Sequence, residues 1–173
     1  MISKQMSDSL NEHLNIELFS AHLYLVMSSC CNELGLKGAA NWYYVQYREE
    51  MIHVMKLYTY LNEQGIVISI TAKNAVPGKY SSLLEMLQIT LDHEQMITSC
   101  INNLFEQAVQ EKDHATQIFL QWFVTEQIEE ENNDRDLIAK LKLVGDSGHG
   151  ILMIDGEMGQ RVFVAPPGSV LAV

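Results

Sequence analysis

Six residues, Glu17, Glu50, His53, Glu94, Gln127 and Glu130, have the types and spacings from which a metal-dependent chemistry can be built. Glu50 and His53 stand at i, i+3, as do Gln127 and Glu130, so on a helix each pair projects from one face. Glu17 precedes Glu50 by 33 residues and Glu94 precedes Gln127 by the same 33, a recurrence that two helical hairpins would turn into one common level. Four carboxylates and one imidazole, with no cysteine among them, form a hard, oxygen-rich donor set suited to iron or manganese rather than to structural zinc. Four negative charges can hold two divalent cations, and the cations offset the repulsion between the carboxylates. Taken singly, a glutamate on a helix is usually a solvated surface residue, and Glu106, Glu111 and Glu157 are read that way. Lone histidines such as His13, His22, His93, His114 and His149 are likewise read as surface or satisfied polar groups. The six-residue set differs because its members interrupt seams that are otherwise apolar, where a lone carboxylate would be costly.

Those seams define the elements that must position the set. Leu10, Leu14, Glu17, Ala21, Tyr24, Ser28 and Cys31 step alternately by four and three, the line a helix presents to its neighbours. Glu33 to Gly38 ends this first helix, and a second runs from about Ala39 to Gln64 through Tyr43, Gln46, Glu50, His53, Leu57 and Tyr60, with Gly65 as its C-terminal cap. At about 26 residues it is roughly 39 Å long. Residues 66 to 81, with Pro77 and Gly78 among them, have no helical period. About 16 residues at up to roughly 3.3 Å each can return along the full length of a helix, which predicts a four-helix bundle with one long crossover between helices two and three. Ser81 or Ser82 can cap helix three, with Glu85 completing a capping box. Its seam is Leu83, Leu87, Thr90, Glu94, Ile97, Ile101, Leu104 and Ala108. Helix four begins near Asp113, carries Leu120, Phe123, Gln127, Glu130, Asp134, Leu137 and Leu141 on one face, and closes at Gly145. Ile151 to Gln160 is a short fifth helix interrupted by glycine, and Arg161 to Val173, which contains Pro166-Pro167-Gly168, is an extended apolar tail. The organisation expected is therefore all-α, with one domain over residues 1–160 and a tail over 161–173.

Composition narrows the partners. The chain has 173 residues, the size of one domain, with 11 Lys and Arg against 22 Asp and Glu, a formal net charge of −11. Such a surface attracts cations and argues against nucleic acid or an anionic membrane as a partner. No run approaches the roughly 20 apolar residues a membrane span needs. Lys4, Asp8, Glu12 and Glu17 break up the first twenty positions, which argues against a secretory signal. Three cysteines, Cys30, Cys31 and Cys100, match no zinc or redox spacing and are read as reduced core thiols in a cytoplasmic protein.

At these residues the chain resembles the bacterial non-haem ferritins over about residues 1–160. The resemblance rests on Asn15-Ile16-Glu17-Leu18 with Tyr24 seven residues on, on Arg48-Glu49-Glu50-Met51-Ile52-His53, on His93-Glu94-Gln95, and on Gln121 to Glu131. Bacterioferritins carry Glu-x-x-His on the fourth helix, where this chain has Gln127-x-x-Glu130, so the non-haem branch is preferred and no haem is expected despite Met51. The resemblance implies a hollow shell of 24 subunits that oxidises Fe(II) with O2 and stores ferric oxyhydroxide. It also implies that Glu17, Glu50 and His53 hold a first iron, with Glu50 bridging to a second held by Glu94 and Glu130. Gln127 would sit beside them as an oxygen ligand or hydrogen-bond donor, and Tyr24 would donate a hydrogen bond or an electron. Glu49, Glu126 and Glu129, sharing Glu130, match a third iron site toward the cavity. Three other readings compete: a storage or assembly subunit whose centre is slow or idle, against which the intact ligand set argues; a di-iron oxidase acting on an organic substrate; and a DNA-binding mini-ferritin, against which the net charge of −11 weighs.

Overall fold

The computed structural model describes residues 2–71 and 75–165. Among them the regular elements are all helical: α1 (Lys4–Glu33), α2 (Lys37–Glu63), α3 (Leu83–Gln110), α4 (His114–Val144) and α5 (Gly148–Met158). Every seam residue expected on α1, α3 and α4 is buried, and on α2 only Tyr60 is partly open. The direction of each helix follows from the two apolar clusters it joins. Met6, Leu10 and Leu14 of α1 lie in one cluster with Val54, Leu57, Ile97, Ile101, Leu120 and Phe123. Tyr24, Met27 and Cys31 lie in the other with Ala39, Tyr43, Met86, Leu87, Leu137 and Leu141. Helices α1 and α4 thus run one way, and α2 and α3 the other. Two antiparallel hairpins, α1/α2 and α3/α4, build the bundle, and the crossover returns the chain from the end of α2 to the start of α3.

That crossover is anchored rather than draped. Two asparagines of α1 act as a backbone-like partner for it: Asn15 Nδ2 donates to the Ser69 carbonyl at 2.9 Å, the Ser69 amide donates to Asn11 Oδ1 at 2.7 Å, and the Thr71 amide donates to Asn15 Oδ1 at 2.8 Å. These bonds satisfy main-chain groups that have no regular element to pair with.

Helix ends follow local chemistry. Ser82 caps α3 by accepting from the Glu85 amide, as expected, but the Glu85 carboxylate reaches back to Ser81, one residue before the cap. Gly65 and Gly145 take positive φ at the ends of α2 and α4, a conformation that carries no Cβ penalty for glycine. Leu36, the N-cap position of α2, offers no side-chain cap; Asp155 of α5 supplies one, its Oδ1 accepting from the Ala39 amide at 2.8 Å. Despite its glycines, α5 is formed and starts three residues earlier than the sequence suggests, because Ser147 caps it and Gly150 packs on the Val144 side chain. Cys30 and Cys31 are buried free thiols, whereas Cys100 is half-exposed and so departs from the core reading. Of the tail, Arg161 to Ala165 has no regular secondary structure; Pro166-Pro167-Gly168 and the apolar Val170, Leu171 and Val173 lie outside the described residues.

The α2/α5 contact admits no side chain at Gly38, where a Cβ would come within 1.6 Å of the Asp155 carbonyl oxygen. Gly38→Ala is expected to push α5 away and remove the Asp155 cap, lowering stability by about 2 kcal/mol or more. A thermal unfolding midpoint equal to that of the parent protein would contradict this.

Candidate metal centre

Between the two apolar clusters lies a belt of buried polar side chains drawn from all four long helices. Glu17, Gln46, Glu50, His53, Glu94, Gln127, Glu130 and Asp134 are each 3% exposed or less. Each sits on its helix's inward seam, so the same packing that buries the leucines above and below carries these groups inward.

On the α1/α2 side, one donor atom from each of Glu17, Glu50 and His53 lies within 4.8 Å of the others, and among the described residues this is the group of three so placed. His53 Nδ1 is 3.2 Å from Glu50 Oε2 and 3.8 Å from Glu17 Oε2. The His53 ring is held edge-on by Trp122 and Phe123 of α4, with centroids 5.3 and 5.9 Å away. Across the bundle, the Tyr24 hydroxyl donates to Glu94 Oε1, and Gln127 Nε2 donates to Glu94 Oε2 at 2.9 Å. Gln46 Nε2 donates to Glu130 Oε2 at 2.8 Å. Glu17 Oε1 and Glu50 Oε2 are buried and held in ion-pair contacts with imidazole nitrogens, His13 Nε2 at 2.9 Å and His53 Nδ1 at 3.2 Å, and a cation could compete for both oxygens.

Electrostatics divide the carboxyls. Burial opposes ionisation of Glu17, but the His13 and His53 imidazoles outweigh it and hold this carboxyl well below the usual range. Burial, with Glu17 nearby, pushes Glu50 well up. Burial also disfavours a charged His53, yet Glu50 and Glu17 together raise its pKa well above that of free imidazole. Burial and the Glu130 charge push Glu94 up to about 8, against the pull of its bonds from Gln127 and Tyr24. Tyr24 is raised by burial and by Glu94, so its phenol keeps its proton. Burial thus works against the charged forms of Glu50 and Glu94, and a divalent cation would work in the opposite direction.

The remaining acids named from the sequence are arranged differently. Glu49 is half-buried and ion-paired with Arg161; burial pushes it up to about 7, with the guanidinium working the other way. Glu126 is half-buried and raised by burial, and Glu129 is exposed. Glu49, Glu126, Glu129 and Glu130 do not converge to the spacing of the Glu17 group.

Three residues of the belt carry more than the sequence assigned them. His13, taken for a surface or satisfied group, is 2% exposed, with Nε2 2.9 Å from Glu17 Oε1 and its ring edge-on to Phe123. Gln46 and Asp134 were visible as seam positions one turn before Glu50 and one turn after Glu130, which is the signal that could have drawn them into the set. Of the other lone histidines, His93 is half-buried and paired with the Ser20 hydroxyl at 2.8 Å.

An all-helical bundle with carboxylates and an imidazole buried at mid-height belongs to the class of helical-bundle metal proteins. A family model, the ferritin-like domain, matches residues 7–144. A probable bacterial non-heme ferritin-like protein of Haemophilus influenzae is 42% identical over 159 residues, 92% of this chain and 96% of the relative. A bacterial non-heme ferritin of Campylobacter jejuni is 41% identical over 155 residues, 90% of this chain and 93% of the relative. The crystal structure of an open pore ferritin from the archaeon Archaeoglobus fulgidus superposes with a TM-score of 0.92 at 40% identity, covering 94% of this chain and 100% of that one. The chain belongs to the ferritin-like family. Among the described residues no helix is long and apolar enough to cross a membrane.

Asp134 is 0% exposed and neither of its carboxyl oxygens has a hydrogen-bond partner. Burial, with Glu94 and Glu130 nearby, pushes it up to about 9. The folded protein binds a proton there that the unfolded chain releases near pH 4, so this group makes stability fall as pH rises between about pH 4 and pH 9. Asp134→Asn, which keeps the shape without the charge, is expected to raise the melting temperature at pH 8 and to change it little near pH 4. A variant less stable than the parent at pH 8 would be the opposite result.

Proposed function

We propose that this protein is an iron-storage ferritin in which Fe(II) is the substrate of an intrasubunit ferroxidase centre. The observation that carries the reading is the buried group Glu17, Glu50 and His53, facing Glu94, Gln127 and Glu130 at the same level of the bundle. Glu17 and His53 would bind one ferrous ion, Glu94 and Glu130 a second, and Glu50 would bridge the two. Gln127 fixes the Glu94 carboxylate through its amide, and Tyr24 fixes the other oxygen. Two ferrous ions held side by side can supply two electrons to one O2, reducing it to hydrogen peroxide, and the two ferric ions hydrolyse with water to oxyhydroxide, releasing four protons in all. Carboxylates suit the task because oxygen donors bind both oxidation states and change between terminal and bridging modes. Protons leaving Glu50 and Glu94 as ions enter make uptake weaker in acid. Glu49, Glu126 and Glu129, with Glu130, are proposed as a third position on the route of iron toward a storage cavity.

The storage reading requires a shell, proposed here as 24 copies in the cytoplasm. Exposed apolar side chains support assembly: Ile118 and Ile128 on α4 are each 70% exposed, and Leu152 and Met153 on α5 are 62% and 65% exposed. Size-exclusion chromatography should give a particle of roughly 24 times 19.6 kDa. Aerobic addition of Fe(II) should give rapid O2 uptake in the parent protein, slowed about 10- to 100-fold by Glu17→Ala and by His53→Ala. Unchanged rates in both variants would remove the enzymatic claim.

A further inference from the structure

The start of the C-terminal tail is fastened to α2 beside the centre. Arg161 Nη2 donates to Glu49 Oε2 at 2.6 Å, and its guanidinium carbon lies 4.8 Å from the centre of the Trp42 ring. The Arg161 carbonyl accepts from Asn41 Nδ2 at 2.9 Å, and two residues on, Phe163 lies under the Arg48 guanidinium at 3.9 Å. Four contacts therefore fix one short stretch to two sites on α2 about two turns apart, Asn41 with Trp42 and Arg48 with Glu49. The ion pair is well shielded, with the Arg161 and Glu49 side chains 19% and 23% exposed. Arg161 Nη1 is buried and has no partner, so the guanidinium retains a free donor.

Glu49 does not stand alone. Glu130 Oε2 accepts from Gln46, three residues before Glu49 on α2, at 2.8 Å, and the Glu126 and Glu130 charges both oppose ionisation of Glu49, so these carboxylates share one neighbourhood into which the Arg161 ion pair is fastened. A carboxylate already in a charge-assisted bond to a guanidinium can bind a divalent ion only by giving up that bond. Were the guanidinium to stay, the like charges would repel.

We propose that Arg161 is a tethered counter-cation that occupies Glu49 in place of a third divalent ion, so that a third ion binds only when the segment Arg161–Ala165 lifts from α2. This rests on the reading of Glu17, Glu50, His53, Glu94 and Glu130 as a two-ion centre. Arg161 is a positioning residue with respect to that centre. It sets the preference of the protein for two bound ions over three, and it couples any third ion to displacement of the tail.

Oxygen-free titration calorimetry of the assembled protein with Fe(II) separates the outcomes. The parent protein is expected to take up two tight ions per chain and a third weakly. Arg161→Gln is expected to tighten the third ion at least tenfold while leaving the first two unchanged, and Glu49→Gln added to it should remove that gain. Arg161→Lys, which keeps the positive charge, should restore weak third-ion binding, a rescue that a merely structural role for the tail would not show. A third ion bound within twofold of the parent by Arg161→Gln, or bound equally tightly by the parent, overturns the proposal while leaving the two-ion centre standing. A parent protein with no tight pair of ions overturns the centre itself.

Discussion

Carboxylates held at the middle of a helical bundle impose the constraint on which the rest of this structure depends. Leaving water costs each of them several kcal/mol unless a hydrogen bond, an opposite charge, a proton or a cation takes water's place. All four kinds of compensation are visible or implied. Gln127 and Tyr24 bond Glu94, Gln46 bonds Glu130, His13 and His53 flank Glu17, and Asp134, without partners, favours its protonated form. Glu17 Oε1 faces His13 and Glu50 Oε2 faces His53, so imidazoles stand where a cation could act. A site of this kind trades stability for function: each uncompensated oxygen weakens the empty fold and strengthens its hold on a cation.

The fold tolerates that belt because it is sandwiched. Apolar clusters close the bundle on both sides of it, so the polar level is held by packing above and below rather than by its own bonds. The long crossover makes this geometry possible by letting α2 and α3 run in the same direction, which brings Glu50 and Glu94 to one height although they stand far apart in the chain. Asn15 and Asn11, two and six residues before Glu17, pin the crossover to α1, so the loop that sets the topology is tied to the helix that supplies the first acid.

The short C-terminal helix belongs to the same economy of unsatisfied groups. The start of α2 lacks a cap of its own, and Asp155 arrives from α5 to provide one, through a contact so close that only glycine fits at position 38. Beyond α5 the chain does the reverse, bringing a cation, Arg161, to an acid on α2. Both ends of the first half of α2 are thereby completed by residues more than a hundred positions away in sequence.

The helices, their seams and the acids at mid-height were legible in the sequence because helical periodicity is a local property: a residue's face follows from its neighbours three and four positions away. Glu17, Glu50, His53, Glu94, Gln127 and Glu130 all lie on those seams and all are buried. Local spacing could not say that His13 would turn inward beside Glu17, since a lone histidine one turn from an acid suits a surface as well as a core. Nor could it say that α5, expected from Ile151, would start at Gly148, because Gly38 and Val144, which accommodate it, are contacts made only on packing. The pairing of Arg161 with Glu49 was hidden for the same reason. Periodicity assigns each side chain a direction from its own helix, whereas partners and protonation depend on what the other helices bring to meet it, and that is decided only when the bundle closes.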